Sequence, residues 1–416
     1  MKKVVLAIGL YCSFLQVAKS QEFLFYNRAP KGSSTLTDNS SDFVKRQLKF
    51  EEVNLVTGYY LQDGNNSAVT GGIGTEKLTD LANSFEIRFS KLDRFNRSHS
   101  FTLDFNIDTY TSASSDKIDP LTVSSASKSD KHIYPSISWS VNDPVVGFTQ
   151  GLSYAYSTEY DYKSHGINAF ISKLSKDKNT EITVKAGAFF DTYMCILPSE
   201  MRPYFYPSGA ERDQEGIDYK PRNTFNASIS ISQVINQRLQ VMAMIEPSFQ
   251  EGLLSTPFHR VFFTNGNSTV EKLPGTRYKL PIGLRLSYFA GDKTVIRAFY
   301  RGYVDDWGMT AHTANVEVPY KITPFFSVSP FYRFNVQSAV RYFKPYAQHT
   351  TTESFYTSDY DISSFTSQFM GVGLRIATPG GILGMINWNS LELRYGYYSR
   401  SNGMVGHSIS AHIKIK

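Results

Sequence analysis

The chain has 416 residues, with 43 Lys and Arg against 37 Asp and Glu, a formal net charge of +6. That mild balance, with no clustered basic tract, argues against nucleic acid as a partner. Only 2 cysteines are present, and after the first twenty residues no run reaches the ~18 apolar residues of a membrane helix, so a disulfide scaffold and a helical membrane protein are both excluded.

Met1–Ser20 (MKKVVLAIGLYCSFLQVAKS) carries two lysines, an apolar run from Val4 to Val17 and the small-x-small ending Ala18-Lys19-Ser20. It reads as a secretory signal peptide, cleaved before Gln21. Lipidation at Cys12 is disfavoured by the bulky Tyr11 before it. With the signal removed, Cys195 stands alone, without a partner for an intramolecular disulfide. Residues 21–50 mix Ser, Asn, Lys and Pro without periodicity and read as a peripheral N-terminal segment.

From Glu51 to Lys416 about sixteen segments alternate apolar and polar residues, most near the 9–11 residues of a tilted spanning strand. Phe101, Leu103, Phe105 and Ile107 share one face, opposite Thr102, Asp104, Asn106 and Asp108. The same pattern sets Tyr278, Leu280, Ile282, Leu284, Leu286 and Tyr288 against Lys279, Gly283, Arg285 and Ser287. In a barrel each apolar face meets lipid and each polar face the lumen. Aromatic residues make up 14% of the chain, and Tyr or Phe at the row ends suits interfacial girdles.

Connections also alternate. Those after even segments are mostly short (Ser175–Thr180, Asn236–Arg238, Thr323–Phe325), although Thr378–Asn387 is longer than the rule expects. Those after odd segments include Gln62–Asp80, Thr111–Ile133, Thr192–Arg222, Pro247–Thr276 and Gln337–Phe365. Short turns on one side and long loops on the other is the outer-membrane rule. A sandwich or solenoid would also alternate, but neither needs so many outward aromatics, and no 20–50-residue repeat is present. The expectation is an all-β, antiparallel transmembrane β-barrel of about sixteen strands (twelve to sixteen), placed in a bacterial outer membrane. Its final strand, Val405–Lys416, resembles the C-terminal strand read by barrel-assembly machinery, but ends in Lys416 rather than an aromatic residue.

Two loops carry a resemblance. QDGNNSAVTGGIGTEKLTD (Gln62–Asp80) and DTYTSASSDKIDPLTVSSASKSD (Asp108–Asp130) look like the signatures of an uncharacterised family of bacterial outer-membrane barrel proteins. The resemblance implies a location and an architecture, not an activity. Members of that family are often encoded near a small lipoprotein, a thioredoxin-like protein and a flavin-transfer protein, which implies a lipoprotein partner and a redox or metal connection.

Face assignment points Lys279, Arg285, Arg297, Arg301, Arg333, Arg375 and Arg394 into the lumen from late strands, and Glu86, Asp104 and Asp108 from early ones. Opposed basic and acidic walls make a transverse field that orients polar solutes, and the excess of Arg favours anions. The competing reading is that these charges pair to hold the wall. The signature loops offer oxygens from Asp63, Asn65, Ser67, Glu76, Asp116 and Asp119, a set that makes Ca²⁺ the one candidate cofactor. The EF-hand spacing nonetheless fails at Gly74, and turn chemistry accounts for the same residues. Scattered histidines without a G-x-S-x-G or H-E-x-x-H motif disfavour an enzyme. Two functions remain: porin-like passage of small, polar, anionic solutes, or a non-conducting barrel that docks a lipoprotein or other exported partner.

Overall fold

The computed structural model describes residues 47–112, 129–201 and 218–416. Residues 1–46, with the expected signal peptide and most of the expected peripheral segment, lie outside them. Sixteen wall strands follow in chain order: β1 Lys49–Asp63, β2 Leu78–Leu92, β3 Ser98–Ser112, β4 Ser129–Ile133 with Ser136–Asp143, β5 Phe148–Thr158, β6 Tyr162–Leu174, β7 Thr180–Met194 and β8 Tyr219–Val234. They continue with β9 Leu239–Ile245 and Ser248–Gly252, β10 Thr276–Phe289, β11 Val295–Asp305, β12 Thr310–Glu317 and Tyr320–Lys321, β13 Phe326–Gln337, β14 Phe365–Ile376, β15 Trp388–Arg400 and β16 Val405–Ile415. Each pairs antiparallel with the next, and β16 pairs back onto β1, with Ile415 opposite Val53 and Val405 opposite Asp63. The sheet therefore closes into a sixteen-stranded barrel and leaves no edge to template aggregation.

The three strands built in two pieces break at the same chemical feature. Their gaps hold Tyr134-Pro135, Glu246-Pro247 and Val318-Pro319. Proline has no N–H to give the ladder, so pairing lapses for a residue or two and then resumes.

Period-2 alternation assigns the faces. On β10, Ile282 and Leu284 are 53% and 49% exposed, while Gly283 and Ser287 between and beyond them turn inward and are buried. The same inversion, large apolar side chains outward and small polar ones inward, recurs at Leu103 and Phe105, Ile229 and Ile231, and Ile409. Buried inward serines include Ser84, Ser230, Ser329 and Ser367. Near the loop end the outer face carries Tyr–His pairs on adjacent strands: Tyr154 with His165, Tyr300 with His312, and Tyr395 with His407, at 2.6–2.9 Å. Amphipathic rings at that height suit the edge of an apolar band.

The longest strands run well past the 9–11 residues expected from sequence: β1, β2, β3 and β7 have 15 residues and β8 has 16. On β1 the extra ladder lies at the loop end, where Gln62 and Asp63 make both faces polar although backbone pairing persists.

The loops between odd and even strands do not hang free. Leu254 and Leu273 from the β9–β10 loop, Trp307 and Met309 from the β11–β12 turn, and Val340 from the β13–β14 loop form a buried cluster, lined by Tyr303, Tyr342, Phe343 and Ile362. A short hairpin, Arg260–Phe262 with Ser268–Val270, projects from the β9–β10 loop. Arg260 Nη1 donates to Val69 O at 2.8 Å in the β1–β2 loop. Its Nε also meets Glu200 Oε1 at 2.5 Å. The strands carrying Val69 and Arg260 stand half a circumference apart, so these loops meet across the mouth of the barrel. Gly71, at φ 81°, is required there: a Cβ would lie 2.6 Å from the Phe262 ring. Gly72 and Gly74 also take positive φ. Gly64 differs: its need is the close approach of Glu76, whose Oε2 would be 2.3 Å from a Cβ.

Candidate functional site

The inner wall is built by strand register. Cross-strand partners share a face, so Gly283 opposite Arg301, Arg285 opposite Phe299 and Ser287 opposite Arg297 set three arginines of β10 and β11 on the lumenal side. Lys279 stands opposite Asp305 on the same face. Arg333 on β13 lies opposite Phe369, its guanidinium 5.8 Å from the ring centroid. Arg375 on β14 faces Glu392 on β15.

Arg394 does something the sequence did not show. Its Nη2 reaches Glu317 Oε1 at 2.6 Å, three strands away on β12, while its Nε binds Glu392 at 2.5 Å. Glycine makes the crossing possible: Gly373, opposite Arg394, would place a Cβ 3.3 Å from Arg394 Cγ. Phe331 and Phe369, 5.2 Å apart, fill the wall beside it. Glu317 also meets Arg297 at 3.4 Å. One carboxylate thus serves two of the arginines expected to line the lumen.

The acidic side lies half a circumference away, on β1 to β3. Glu52 is buried between Arg88 at 3.1 Å and Lys414 at 2.8 Å. Glu86 accepts from Asn54 at 2.8 Å and meets Arg88 at 3.3 Å. Asp104 accepts from Ser136 at 3.2 Å, and Asp108 from Tyr134 at 3.0 Å. Glu52 and Lys414, absent from the sequence reading, were available to it: both lie on inward positions of strands it had placed. They tie β1 to β16 where the ring closes.

Toward the loop end, arginine, carboxylate and aromatic ring recur together. Arg222 binds Asp191 at 2.7 Å beneath Tyr193. Arg277 binds Asp305 and stacks on Trp307 at 4.3 Å. Arg400 binds Asp361 at 2.6 Å and Tyr398 at 2.7 Å, and stacks on Phe365 at 4.6 Å. Asp361 belongs to the β13–β14 loop, and Arg400 and Gln337 face inward, so this loop is drawn onto the inner wall; Gln337 Nε2 donates to Asp361 O and Ser363 O at 3.0 and 2.9 Å. Sequence reasoning placed Arg222 and Thr276–Arg277 at loop boundaries and did not see these clusters.

Within that loop Glu353 accepts from Lys344 and His349, both at 2.6 Å, and from the Thr350 amide at 3.1 Å. Desolvation would raise its pKa, but these bonds outweigh it and hold the carboxyl down at about 2. Because the folded value lies below the unfolded one, near 4.5, the stabilisation is complete above pH 4.5 and disappears as pH falls toward 2. The protection of amides across residues 344–357, measured against their intrinsic exchange rates, is expected to fall in that window, and Glu353→Gln to remove the fall; protection that is unchanged from pH 5 to 2 in the native chain would contradict it.

The oxygen-rich signature loop is arranged around its backbone. Asp63 is exposed and 3.9 Å from Lys77. Ser67 is buried, its carbonyl accepting from Thr70 and Gly72, and the Glu76 amide donates to Gly64. Asn65 lies beside Asn66, whose amide holds Asn402 O at 2.9 Å. Asp116 and Asp119 fall outside the described residues. Among the described residues the grouping of His, Asp and Glu side chains with metal-ligand spacing lies elsewhere, at His259, Glu271 and Asp359.

Comparison with known proteins gives three kinds of result. No curated protein matches the sequence. Among solved structures, the chain is similar to OccK1 (OpdK) of Pseudomonas aeruginosa, with TM-score 0.41 and 8% identity over 88% of this chain and 97% of that one. It is also similar to OccK9 (OpdG) of the same species, with TM-score 0.43, 7% identity and coverage of 88% and 98%. A BenF-like porin from Pseudomonas fluorescens Pf-5 gives TM-score 0.41, 9% identity and coverage of 88% and 98%. Correspondence at this level transfers neither substrate nor mechanism. A family profile, by contrast, spans residues 136–411, from β4 into β16, beyond the two signature loops. The chain belongs to the family described as Protein of unknown function (DUF3570).

Proposed function

We propose that the protein is an outer-membrane channel for small polar solutes, with preference for anions, whose mouth is narrowed by its own loops. A closed barrel with an apolar exterior of this extent is at home in lipid; a soluble monomer seldom exposes more than a few hundred Å² of contiguous apolar surface. The observation that carries the solute reading is the inner wall, where Arg285, Arg301 and Arg333 of β10 to β13 face inward on one side while Glu86, Asp104 and Asp108 of β2 and β3 face inward on another. Arg301 is exposed to the lumen rather than buried in the wall.

Single-channel recording in a planar bilayer under a salt gradient tests this. Steady, anion-selective steps are expected. Arg301→Ala and Arg285→Ala should each lower the anion-to-cation permeability ratio by up to about fivefold, the worth of ~1 kcal/mol for one charge at contact distance in water. Selectivity unmoved by both changes would remove the arginines from the conduction path.

The loops favour a second reading. Contact between loops from opposite sides of the barrel, with Asp361 drawn onto Arg400, supports a closed lumen and a barrel that works as a platform for a lipoprotein or another exported partner. A folded protein that is silent in the bilayer would select it.

A further inference from the structure

Among the described residues, one cluster of ligating side chains in the loops has no role in either reading. His259 and Glu271 flank the short hairpin of the β9–β10 loop, and Asp359 comes from the β13–β14 loop. All three are 2–3% exposed. His259 Nδ1 lies 3.8 Å from Glu271 Oε1 and 3.7 Å from Asp359 Oδ2, and it is buried without a hydrogen-bond partner. Two carboxylates and an imidazole nitrogen converge on one point that water scarcely reaches.

Three buried electron-rich groups facing each other repel unless a cation lies among them. A proton on Nδ1 would draw an acceptor to about 2.7–2.9 Å, the length of a charge-assisted hydrogen bond. The gaps seen are nearly an ångström longer. A zinc-sized ion with ligands at about 2.0–2.2 Å in tetrahedral geometry spaces them roughly 3.3–3.6 Å apart; both imidazole–carboxylate distances are close to this, and all three ligand atoms lie within 4.8 Å of one another. The outer contacts already fix the carboxylates. Thr357 Oγ1 donates to Glu271 Oε1 at 2.6 Å and the Thr256 amide to Oε2 at 2.7 Å, while the Asp361 amide donates to Asp359 Oδ1 at 2.9 Å. Supporting bonds of this kind orient ligands at metal centres.

We infer that His259, Glu271 and Asp359 bind a divalent first-row transition ion, zinc in the simplest case, which staples the β9–β10 loop to the β13–β14 loop. One nitrogen and two carboxylate oxygens suit zinc better than Ca²⁺, which takes six to eight oxygens. Two carboxylates also balance the ion's charge, so the site can be both buried and neutral.

The full chain in detergent micelles, stripped with chelator, exposed to micromolar Zn²⁺ and exchanged into metal-free buffer, is expected to retain about one zinc per chain by elemental analysis. Glu271→Gln and Asp359→Asn preserve shape and should each cost more than about tenfold in affinity, at least what outer-contact changes cost at such sites. Excess Ca²⁺ should not displace the zinc. Folding is checked independently by resistance of the barrel to SDS before heating. If neither variant folds, the native chain decides with Co²⁺: a visible d–d band that Zn²⁺ abolishes supports the site, and no band overturns it. Folded native protein without zinc, or variants that hold zinc as tightly as the native chain, would also overturn it. Bilayer conductance is not the readout, so the outcome is separable from that of the channel proposal.

Discussion

Asp361→Ala is expected to lower stability by about 3–5 kcal/mol, because it leaves the Arg400 guanidinium buried and without its carboxylate. Side-chain exposure of the pair is 3% and 6%, and water cannot replace the lost partner. The change should act locally as well, freeing the β13–β14 loop from the inner wall, since Gln337 bonds the carbonyl of the same residue. Urea unfolding in micelles reads the first effect. Bilayer recording reads the second, with larger or noisier conductance in the variant. Arg400→Met combined with Asp361→Ala should recover much of the lost stability, because no unpaired charge then remains. A single variant as stable as the native chain would show that the pair is not buried in solution.

Trp307→Ala should cost a similar amount, about 3–5 kcal/mol for a large aromatic removed from a packed site. The indole lies at the centre of the Leu254, Leu273, Met309 and Val340 cluster, donates to Thr276 O at 2.9 Å, and carries the Arg277 guanidinium on its face. Three connections lose their common contact together. Limited trypsin digestion is the sensitive measurement: cleavage at Arg260, Lys272 and Arg341 should be slow in the native chain and fast in the variant, while the barrel wall stays intact. Equal protection of both proteins would mean that the loops are held by something other than this cluster.

The wall was legible because its physics is periodic. A strand with lipid on one side and lumen on the other must alternate, so β3, β10 and β13 announce their faces, and the arginines follow by counting. The loops were not legible because nothing local encodes them. Glu271 and Thr357 bond from positions far apart in the chain, and Arg260 finds a carbonyl at Val69, across the barrel. The partner of Arg394 was not legible for a related reason: counting gives its face, but Glu317 is chosen by the space above Gly373.

The seam between β1 and β16 sets a timetable. Residues 53 and 415 are ladder neighbours, and Lys414 reaches Glu52 across the join, so the ring cannot shut until the last residues of the chain have been made. Contacts this distant in sequence are the slowest to form. Until then the first strand waits with an open edge and its apolar face uncovered, which is the form of the chain most prone to aggregate. Loss of β16 would therefore act on the whole cylinder rather than on one strand.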